Sequence, residues 1–454
     1  MSEPDYYLAD LPAGAVLTPE MIRQACDAIR SNRRRHLAGQ PLSSLIDLIS
    51  TVSQRWLDHD FPLRRRALDL GPGATGFSRA VLEAGLDALF ASLTADNLET
   101  LVLQDLGAAE YLDSLTQVRA GLAGQNRAGL ARGPELLVHI AGGTLPNPAI
   151  MSLVLGLLTR SAQFMKCAGG TSLLPRLFAH SIHQEAPTIG ACIEIAEWRG
   201  GDEALESELL AQADCVTATG RDETVARLRT RTPVRTRFLG YGHKVSFAYV
   251  AKDVLTGLNP GKHAVAAAAD IVAWDQQGCL SPHVIYVQQG AALAPEQFAE
   301  ALAKQLEARE RTHPRGRLEP AAAASIATRR SFYKIRAAHE LRTRMWCSPE
   351  STAWTVVYED DPRFAASCLN RFVYVKPVEG IGQMMAAADV VRHHVSTIGI
   401  AVPDAERLEI ANALARWGAS RVCPLGRMQQ PPPAWRHDGR PCLADLLTWT
   451  DLEF

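Results

Sequence analysis

The sequence predicts an α/β fold built on parallel β-sheets. Between about residues 65 and 245, short apolar runs alternate with longer amphipathic ones, and three of the apolar runs end in glycine or threonine before a helical stretch: ELLVHIAGG, AQFMKCAGG and ADCVTATG. Such alternation is typical of βαβ units, in which ligands bind beyond the carboxyl ends of the strands. We therefore expect these three strand ends to wall one cleft.

A second α/β stretch covers residues 246–425. Its clearest strands are PHVIYVQQG and NRFVYVKPV, and EQFAEALAKQLEARERT between them has the apolar spacing of an amphipathic helix. Ahead of both stretches, residues 18–60 are expected to be helical, with Thr18 as an N-cap and Pro19 at the first helical position. The length and the pattern together indicate at least two domains.

The stretch ALDLGPGATGF, residues 67–77, joins an apolar run to a glycine-rich segment. We interpret it as an early strand and turn of the first domain. It also resembles the first motif of methyltransferases that use S-adenosylmethionine, in which Asp96 would bind the ribose. A methyltransferase is therefore an alternative function, although it leaves the motifs described below unexplained.

The composition is that of an ordinary globular protein: 454 residues, 47% hydrophobic, 21% charged, with a formal net charge of −2. A charge this close to zero gives no reason to expect nucleic acid as a partner. The acidic start lacks the order of a signal peptide, and the longest apolar stretch, Ala149–Leu158, is too short to span a bilayer. We therefore expect a cytoplasmic protein without a membrane span.

Nine cysteines are scattered along the chain without a CxxC pair, which fits reduced thiols. The histidines of HSIH and RHH lack acidic or cysteine companions at metal-ligand spacing, so no metal site is predicted. Cys279, in WDQQGCLSPH, follows Gly278 and precedes Ser281-Pro282 in a turn-like context before a strand. Its thiol could be presented beside backbone N–H groups that stabilise a thiolate or an oxyanion.

A lone cysteine is more often an inert core residue, but the segment DQQGCLSP resembles the catalytic loop of the aldehyde dehydrogenase superfamily, and more closely that of the LuxC-type acyl-CoA reductases. Other segments follow in that family's order: HIAGGTLPNPAI, QFMKCAGGTSLLP, TATGRDETVARL, LGYGHKVSF and RVCPLGRMQQPPPAWRHDG. The resemblance implies a Rossmann-type cofactor-binding domain with a helical N-terminal segment over residues 1–245. It also implies a catalytic domain over residues 246–425 and a segment over 426–454 that packs back near the active site.

The resemblance implies that Cys279 attacks an acyl thioester and that the resulting acyl-cysteine is reduced to an aldehyde. Thr144 stands where the superfamily has an asparagine that donates to the oxyanion, so either the Thr144 hydroxyl or Asn147 would take that part. His243 and His283 are candidate proton donors or thiolate partners. In oxidising aldehyde dehydrogenases a glutamate activates water near Gly240–Lys244, and its absence here favours reduction.

For the cofactor, Lys166 resembles the superfamily lysine that contacts the adenosine ribose. Thr219 and Gly220 would open a helix that faces the pyrophosphate. Arg221 and Lys166 could bind a 2′-phosphate, which favours NADPH.

Two further alternatives are an oxidising aldehyde dehydrogenase and a non-catalytic acyl-binding scaffold. The expected substrate is acyl-CoA or another acyl thioester. The expected protein partner is an acyl-protein synthetase or an acyl carrier protein, and a homo-oligomer is expected by analogy with the superfamily.

Overall fold

The computed structural model describes residues 6–12, 14–117, 127–143, 145–257 and 259–453. Its first part is helical. The helices are α1 (Pro19–Asn32), α2 (Leu42–Leu57), α3 (Pro62–Thr75), α4 (Arg79–Ser92) and α5 (Ala95–Leu106). The predicted start of α1 is confirmed, because the Thr18 side chain accepts a hydrogen bond from the Met21 N–H and Pro19 is the first helical residue.

The predicted strand and turn at residues 67–77 are wrong. This stretch is the second half of α3, and the helix ends at Gly76, whose φ of 83° is left-handed. Leu63, Ala67 and Leu68 lie buried at helical spacing, and a Cβ on Gly71 would stand 2.3 Å from Leu82 Cδ2. Gly71 thus allows close packing of α3 on α4. The strand, turn and helix that a methyltransferase motif requires are absent from this described stretch.

After two short strands, β1 (Thr116–Gln117) and β2 (Arg127–Arg132), the chain builds a five-stranded parallel sheet in the order β5-β4-β3-β6-β7. Its strands are β3 (Leu136–Ala141), β4 (Ala162–Cys167), β5 (Ile193–Glu197), β6 (Cys215–Thr219) and β7 (Arg237–Tyr241). Its helices are α6 (Pro146–Leu158), α7 (Leu173–Glu185), α8 (Pro187–Gly190), α9 (Glu203–Gln212) and α10 (Asp222–Arg231). The three strands predicted here are confirmed. The strands β4 and β6 flank β3 and all three are parallel, so the strand order reverses at β3.

The second sheet has seven strands in the order β10-β11-β12-β9-β8-β13-β14, and only the β10–β11 pair is antiparallel. The strands are β8 (Val245–Val250), β9 (Pro282–Gln288), β10 (Thr343–Cys347), β11 (Thr355–Glu359), β12 (Phe372–Val378), β13 (Val395–Ala401) and β14 (Arg421–Pro424). The helices are α11 (Lys262–Val272), α12 (Pro295–Thr312), α13 (Pro320–His339), α14 (Ile381–Ala387) and α15 (Arg407–Trp417). Both strands and the helix predicted for this stretch are confirmed.

The last strand, β15 (Thr448–Glu453), returns to pair antiparallel with β2. The C-terminal segment therefore runs from the seven-stranded sheet back to residues that precede the five-stranded one. Over the described ranges, none of the helices combines the length and the apolar character needed to cross a membrane.

The N-terminal helices support the segment that leads to Cys279. The indole of Trp274 is 3% exposed, and its ring lies 5.3 Å from that of Phe77 at the end of α3. On α4, a Cβ built on Gly85 would stand 2.1 Å from Trp274 Cζ2. Gly85 is therefore the residue that lets α4 approach this segment.

We expect Gly85→Ala to destabilise the protein by about 1–3 kcal/mol, because the indole must shift to admit the methyl group. Gly73→Ala is the matched control: Gly73 lies in α3 with no atom within 4 Å of a Cβ. Alanine there should stabilise by about 0.5–1 kcal/mol through helix propensity. Thermal unfolding of both variants checks the pair, and equal shifts would show that Gly85 has no packing function.

Candidate active site

The segment before Cys279 has an unusual backbone. Trp274, Asp275 and Gln276 all have left-handed φ angles, of 52°, 49° and 62°. Gln276 fixes the turn, since its Nε2 donates to the carbonyl oxygens of Pro282, at 2.8 Å, and Phe372, at 2.9 Å. Left-handed residues other than glycine cost free energy and persist only where their surroundings impose them. The loop before Cys279 is thus held in place by contacts with β9 and β12.

A buried ion pair makes the strongest of these contacts. Arg371, which is 1% exposed, donates from Nε to Asp275 Oδ1 at 2.9 Å and from Nη1 to Glu310 Oε2 at 2.7 Å. The other Asp275 oxygen accepts from the Gly316 N–H at 3.0 Å. These bonds join α12, the Cys279 loop and the turn before β12.

Cys279 stands at the end of this loop, just before β9. Its side chain is exposed, and its carbonyl oxygen accepts a hydrogen bond of 2.7 Å from Ser246 Oγ. Protein atoms surround the rest of the thiol, so burial raises the pKa of Cys279 to about 12, and the Asp438 carboxylate adds to the rise. The backbone N–H groups of Cys279 and Leu280 act in the opposite direction, because they stabilise a thiolate.

Cys279 opens into a cavity of about 1320 Å³, its mouth included. Much of the wall is apolar: Ala88, Leu89, Leu145, Met151, Leu155, Trp274, Leu280, Pro431, Pro432, Pro433, Trp435 and Leu446. A smaller polar group lies among them: Asn147, Ser152, Thr217, Thr219, Tyr241, Gln429 and His437. A largely apolar wall with a few polar groups is typical of a site for an apolar organic molecule.

A second cavity adjoins the first at the carboxyl ends of β3, β4 and β6 and shares His139, Leu145 and Thr219 with it. It encloses about 570 Å³. Gly143 and Gly170 line it with φ angles of 83° and 81°, and none of the described residues, apart from chain neighbours, has an atom within 4 Å of a Cβ built on either glycine. The backbone is therefore open to close approach by a ligand, as at other strand-end nucleotide sites.

The structure brings some of the residues predicted from the sequence to the Cys279 cavity, namely Asn147 and Thr219. Asn147 is the second residue of α6, and its buried Oδ1 has no hydrogen-bond partner within the described ranges. Thr144 lies outside the described residues. Gly220 and Arg221 follow β6 beyond the cavity wall, with Arg221 exposed as the N-cap of α10.

Lys166 and the two candidate histidines lie elsewhere. Lys166 is 4% exposed and its Nζ lies 5.5 Å from the centre of the Trp198 ring, where burial lowers the pKa of the lysine. His243 is exposed and lines neither cavity. His283 is buried on β9, and its Nδ1 accepts from the Ser367 N–H at 3.0 Å.

Three side chains that line the cavity have no function predicted from the sequence: Tyr241, His437 and His139. His139 links β3 to its neighbours, with Nδ1 2.8 Å from Thr217 Oγ1 and Nε2 3.0 Å from Gln163 Oε1. His437 belongs to the WRHDG segment, whose composition marks it as unusual without indicating what it contacts.

Solved structures with this fold include aldehyde dehydrogenases. A NAD-dependent benzaldehyde dehydrogenase from Corynebacterium glutamicum is similar with a TM-score of 0.72 at 12% identity, over 97% of this chain and 91% of that one. Proline utilization A from Bradyrhizobium japonicum, as its D779Y mutant, gives a TM-score of 0.70 at 16% identity. The match covers 97% of this chain but only 45% of that longer protein. The predicted aldehyde-dehydrogenase-like α/β fold is confirmed.

Relatives of known function are more similar in sequence. A long-chain acyl-protein thioester reductase of Aliivibrio fischeri is 25% identical over 398 residues, which are 85% of this chain and 77% of that protein. Its counterpart from Photorhabdus laumondii subsp. laumondii is 24% identical over 449 residues, covering 96% and 86% of the two chains. The family model for acyl-CoA reductase (LuxC) matches residues 37–449. The chain therefore belongs to the LuxC family of acyl-CoA reductases, a family of oxidoreductases that act on acyl thioesters.

Proposed function

We propose that this protein reduces an acyl thioester to an aldehyde with NADPH, through an acyl intermediate on Cys279. The observation that carries the proposal is the position of Cys279, which opens into a largely apolar cavity beside the strand-end cavity. An acyl chain would occupy the first cavity and a dinucleotide the second. Residues 1–245 would then form the cofactor-binding domain and 246–425 the catalytic domain, with 426–454 closing the acyl cavity.

The residues around Cys279 suit acyl transfer. Attack of the sulfur on a thioester carbonyl carbon places a negative charge on the carbonyl oxygen, which needs preorganised donors. The Cys279 N–H is one donor. Asn147 is the second, since its amide lies on the cavity wall near the start of α6, where the Nδ2 group can donate to the oxyanion. Collapse of this intermediate expels the donor thiol and leaves an acyl-cysteine.

The segment at the end of β7 supports reduction over hydrolysis of that acyl-cysteine. An oxidising enzyme needs a carboxylate near this position to activate water. A Cβ on Gly240 would stand 2.5 Å from Val225 Cγ1 and 3.0 Å from Phe238 Cε1. A glutamate at position 240 would therefore collide with its neighbours, so the water-activating base of oxidising enzymes does not fit at this position.

The open glycine backbone of Gly143 and Gly170 fits a dinucleotide at the strand ends. When bound there, a nicotinamide cofactor would supply a hydride to the acyl carbon. We assign Thr219, which lines this cavity, to the pyrophosphate side. By resemblance to the superfamily we assign Gly220 and Arg221, just beyond the cavity wall, to the same side and Lys166 to the ribose side, with the two basic side chains favouring a 2′-phosphate. The acyl donor is acyl-CoA or an acylated protein, because the relatives are named acyl-protein thioester reductases.

Intact-protein mass after mixing the protein with a panel of acyl-CoA thioesters tests the proposal. We expect an adduct of the acyl mass on the peptide that carries Cys279. Addition of NADPH should remove the adduct and release the aldehyde, faster than NADH does. Failure of every thioester to form an adduct would overturn the proposal.

Asn147→Ala should slow acylation by about 10²–10³-fold, which is the usual loss for one oxyanion donor. The change should leave the binding of acyl-CoA nearly intact, because the donor acts on the charge that develops in the transition state. Single-turnover acylation rates measure the loss. The exposed Asn412 on α15, which does not line either cavity, provides the matched control Asn412→Ala. Equal rates for Asn147→Ala and wild type would remove Asn147 from the site.

A further inference from the structure

The C-terminal segment places a histidine on the wall of the Cys279 cavity. The His437 ring stacks on the Tyr241 ring, with centroids 4.7 Å apart and an angle of 11° between the planes. The Trp435 ring lies 4.8 Å from it on another side. All of these side chains line the cavity. The two aromatic contacts therefore hold the imidazole in one orientation inside it.

His437 has free ring nitrogens, unlike the other histidine on this wall. Both nitrogens of His139 are used, by Thr217 and Gln163. Within the described ranges, no hydrogen bond reaches the ring of His437, and its nearest ionic neighbour is Asp438, with Oδ1 3.9 Å from Nε2. The imidazole is thus free to exchange a proton with a molecule in the cavity.

One oxygen of the Asp438 carboxylate lacks a hydrogen-bond donor among the described residues. Its side chain is only 9% exposed, and its Oδ1 makes no hydrogen bond with any described residue. Its φ of 53° is left-handed, so the backbone is strained at this point. A buried acceptor without a donor is costly, and protonation of His437 would provide a cation beside it. The carboxylate also raises the pKa of Cys279.

Cys279 needs a base at the moment of attack. Because the pKa of its thiol is raised to about 12, the sulfur keeps its proton at neutral pH and is a weak nucleophile. Burial lowers the pKa of His437, so that its ring is neutral and can accept a proton. Asp438 opposes this lowering, because it stabilises the imidazolium.

The geometry points to His437 as the general base and acid of acyl transfer, with Asp438 as the positioning residue that stabilises its protonated form. This inference rests on the proposed function. As the Cys279 sulfur bonds to the thioester carbonyl carbon, the thiol proton moves to His437. When the bond between that carbon and the donor sulfur breaks, His437 returns the proton to the departing thiolate. The donor leaves as a free thiol, and no electrons are gained or lost.

Single-turnover acylation of His437→Gln, followed by intact mass from about pH 6 to about pH 10, tests the inference. We expect a loss of about 10²–10⁴-fold at neutral pH. The loss should shrink as pH rises, because hydroxide then deprotonates the thiol directly. His339→Gln, an exposed histidine on α13, is the matched control.

The pH dependence of acylation by Asp438→Asn distinguishes a catalytic role of His437 from a purely structural one. The charged and titratable groups around His437 are Asp438, Lys244, Arg440, Tyr241, Cys442 and Cys279. Among them Asp438 raises the pKa of His437, whereas Lys244 and Arg440 lower it. Loss of the carboxylate should therefore move the acidic limb of the acylation profile to lower pH.

Wild-type acylation rates for His437→Gln at every pH would overturn the inference while leaving the proposed function intact. A loss that is the same at all pH values would also overturn it, since that pattern indicates altered packing. If His437→Gln does not fold, the position of the acidic limb in the acylation profile of Asp438→Asn tests the inference instead. Absence of any adduct on the wild-type protein would overturn both the inference and the proposed function.

Discussion

Cys279→Ala is expected to abolish the acyl adduct and to lower aldehyde formation by about 10⁴-fold or more. The reason is that covalent catalysis has no substitute when the nucleophile is removed. Alanine fills less space at an exposed position on the cavity wall, so the fold should persist. Intact mass with a long-chain acyl-CoA reports the adduct, and aldehyde production in the presence of NADPH reports turnover.

Cys442 provides the control for this experiment, because it lines the same cavity. Its thiol is engaged with the Trp435 carbonyl oxygen at 3.1 Å. Cys442→Ala should therefore still form the adduct on Cys279. An adduct that survives Cys279→Ala and disappears in Cys442→Ala would show that the wrong thiol has been assigned.

Arg371→Met is expected to destabilise the protein by about 3–5 kcal/mol, which is the usual cost of breaking a buried ion pair from one side. The change leaves Asp275 without its cationic partner at a site where burial already raises the pKa of the carboxyl. Since Asp275 belongs to the left-handed turn before Cys279, we also expect slower acylation at temperatures where the variant is folded. Thermal unfolding and single-turnover acylation measure the two effects.

Arg363→Met is the matched control, because Arg363 is exposed and pairs with Asp361 at the surface. Little change is expected there, as exposed pairs contribute little. The double variant Arg371→Met, Asp275→Asn should recover part of the lost stability, because it no longer buries an unpaired charge. Equal melting temperatures for wild type and Arg371→Met would show that the pair does not support the loop.

Much of the fold could be predicted from local patterns. The runs that became β3, β4, β6, β9 and β12 are apolar and bounded by glycine or polar residues, and buried parallel strands need no other signal. Residues 67–77 show where the same reasoning fails. A glycine-rich segment after an apolar run suits a strand and turn, yet contacts of α3 with α4 determine that it is helical.

The candidate site divides in the same way. The setting of Cys279 can be found in ten consecutive residues. By contrast, Asp275 and Arg371 are 96 residues apart, and His437 contacts Tyr241 only because the chain returns after β14 to the strand ends of the first sheet. No local pattern indicates such pairs.

The sequence by itself determined the family, the parallel strands and the cysteine on which the chemistry is proposed to depend, because each is indicated by residues that are adjacent in the chain. Only the tertiary structure decided which side chains share the cavity with Cys279: it brought in His437 and Tyr241, with Asp438 beside His437, and it placed Lys166 against Trp198 and His243 in solvent. The physical reason is that the periodicity of a strand or helix is fixed by neighbours along the chain. The environment of a side chain depends on burial and charge contributed by distant segments.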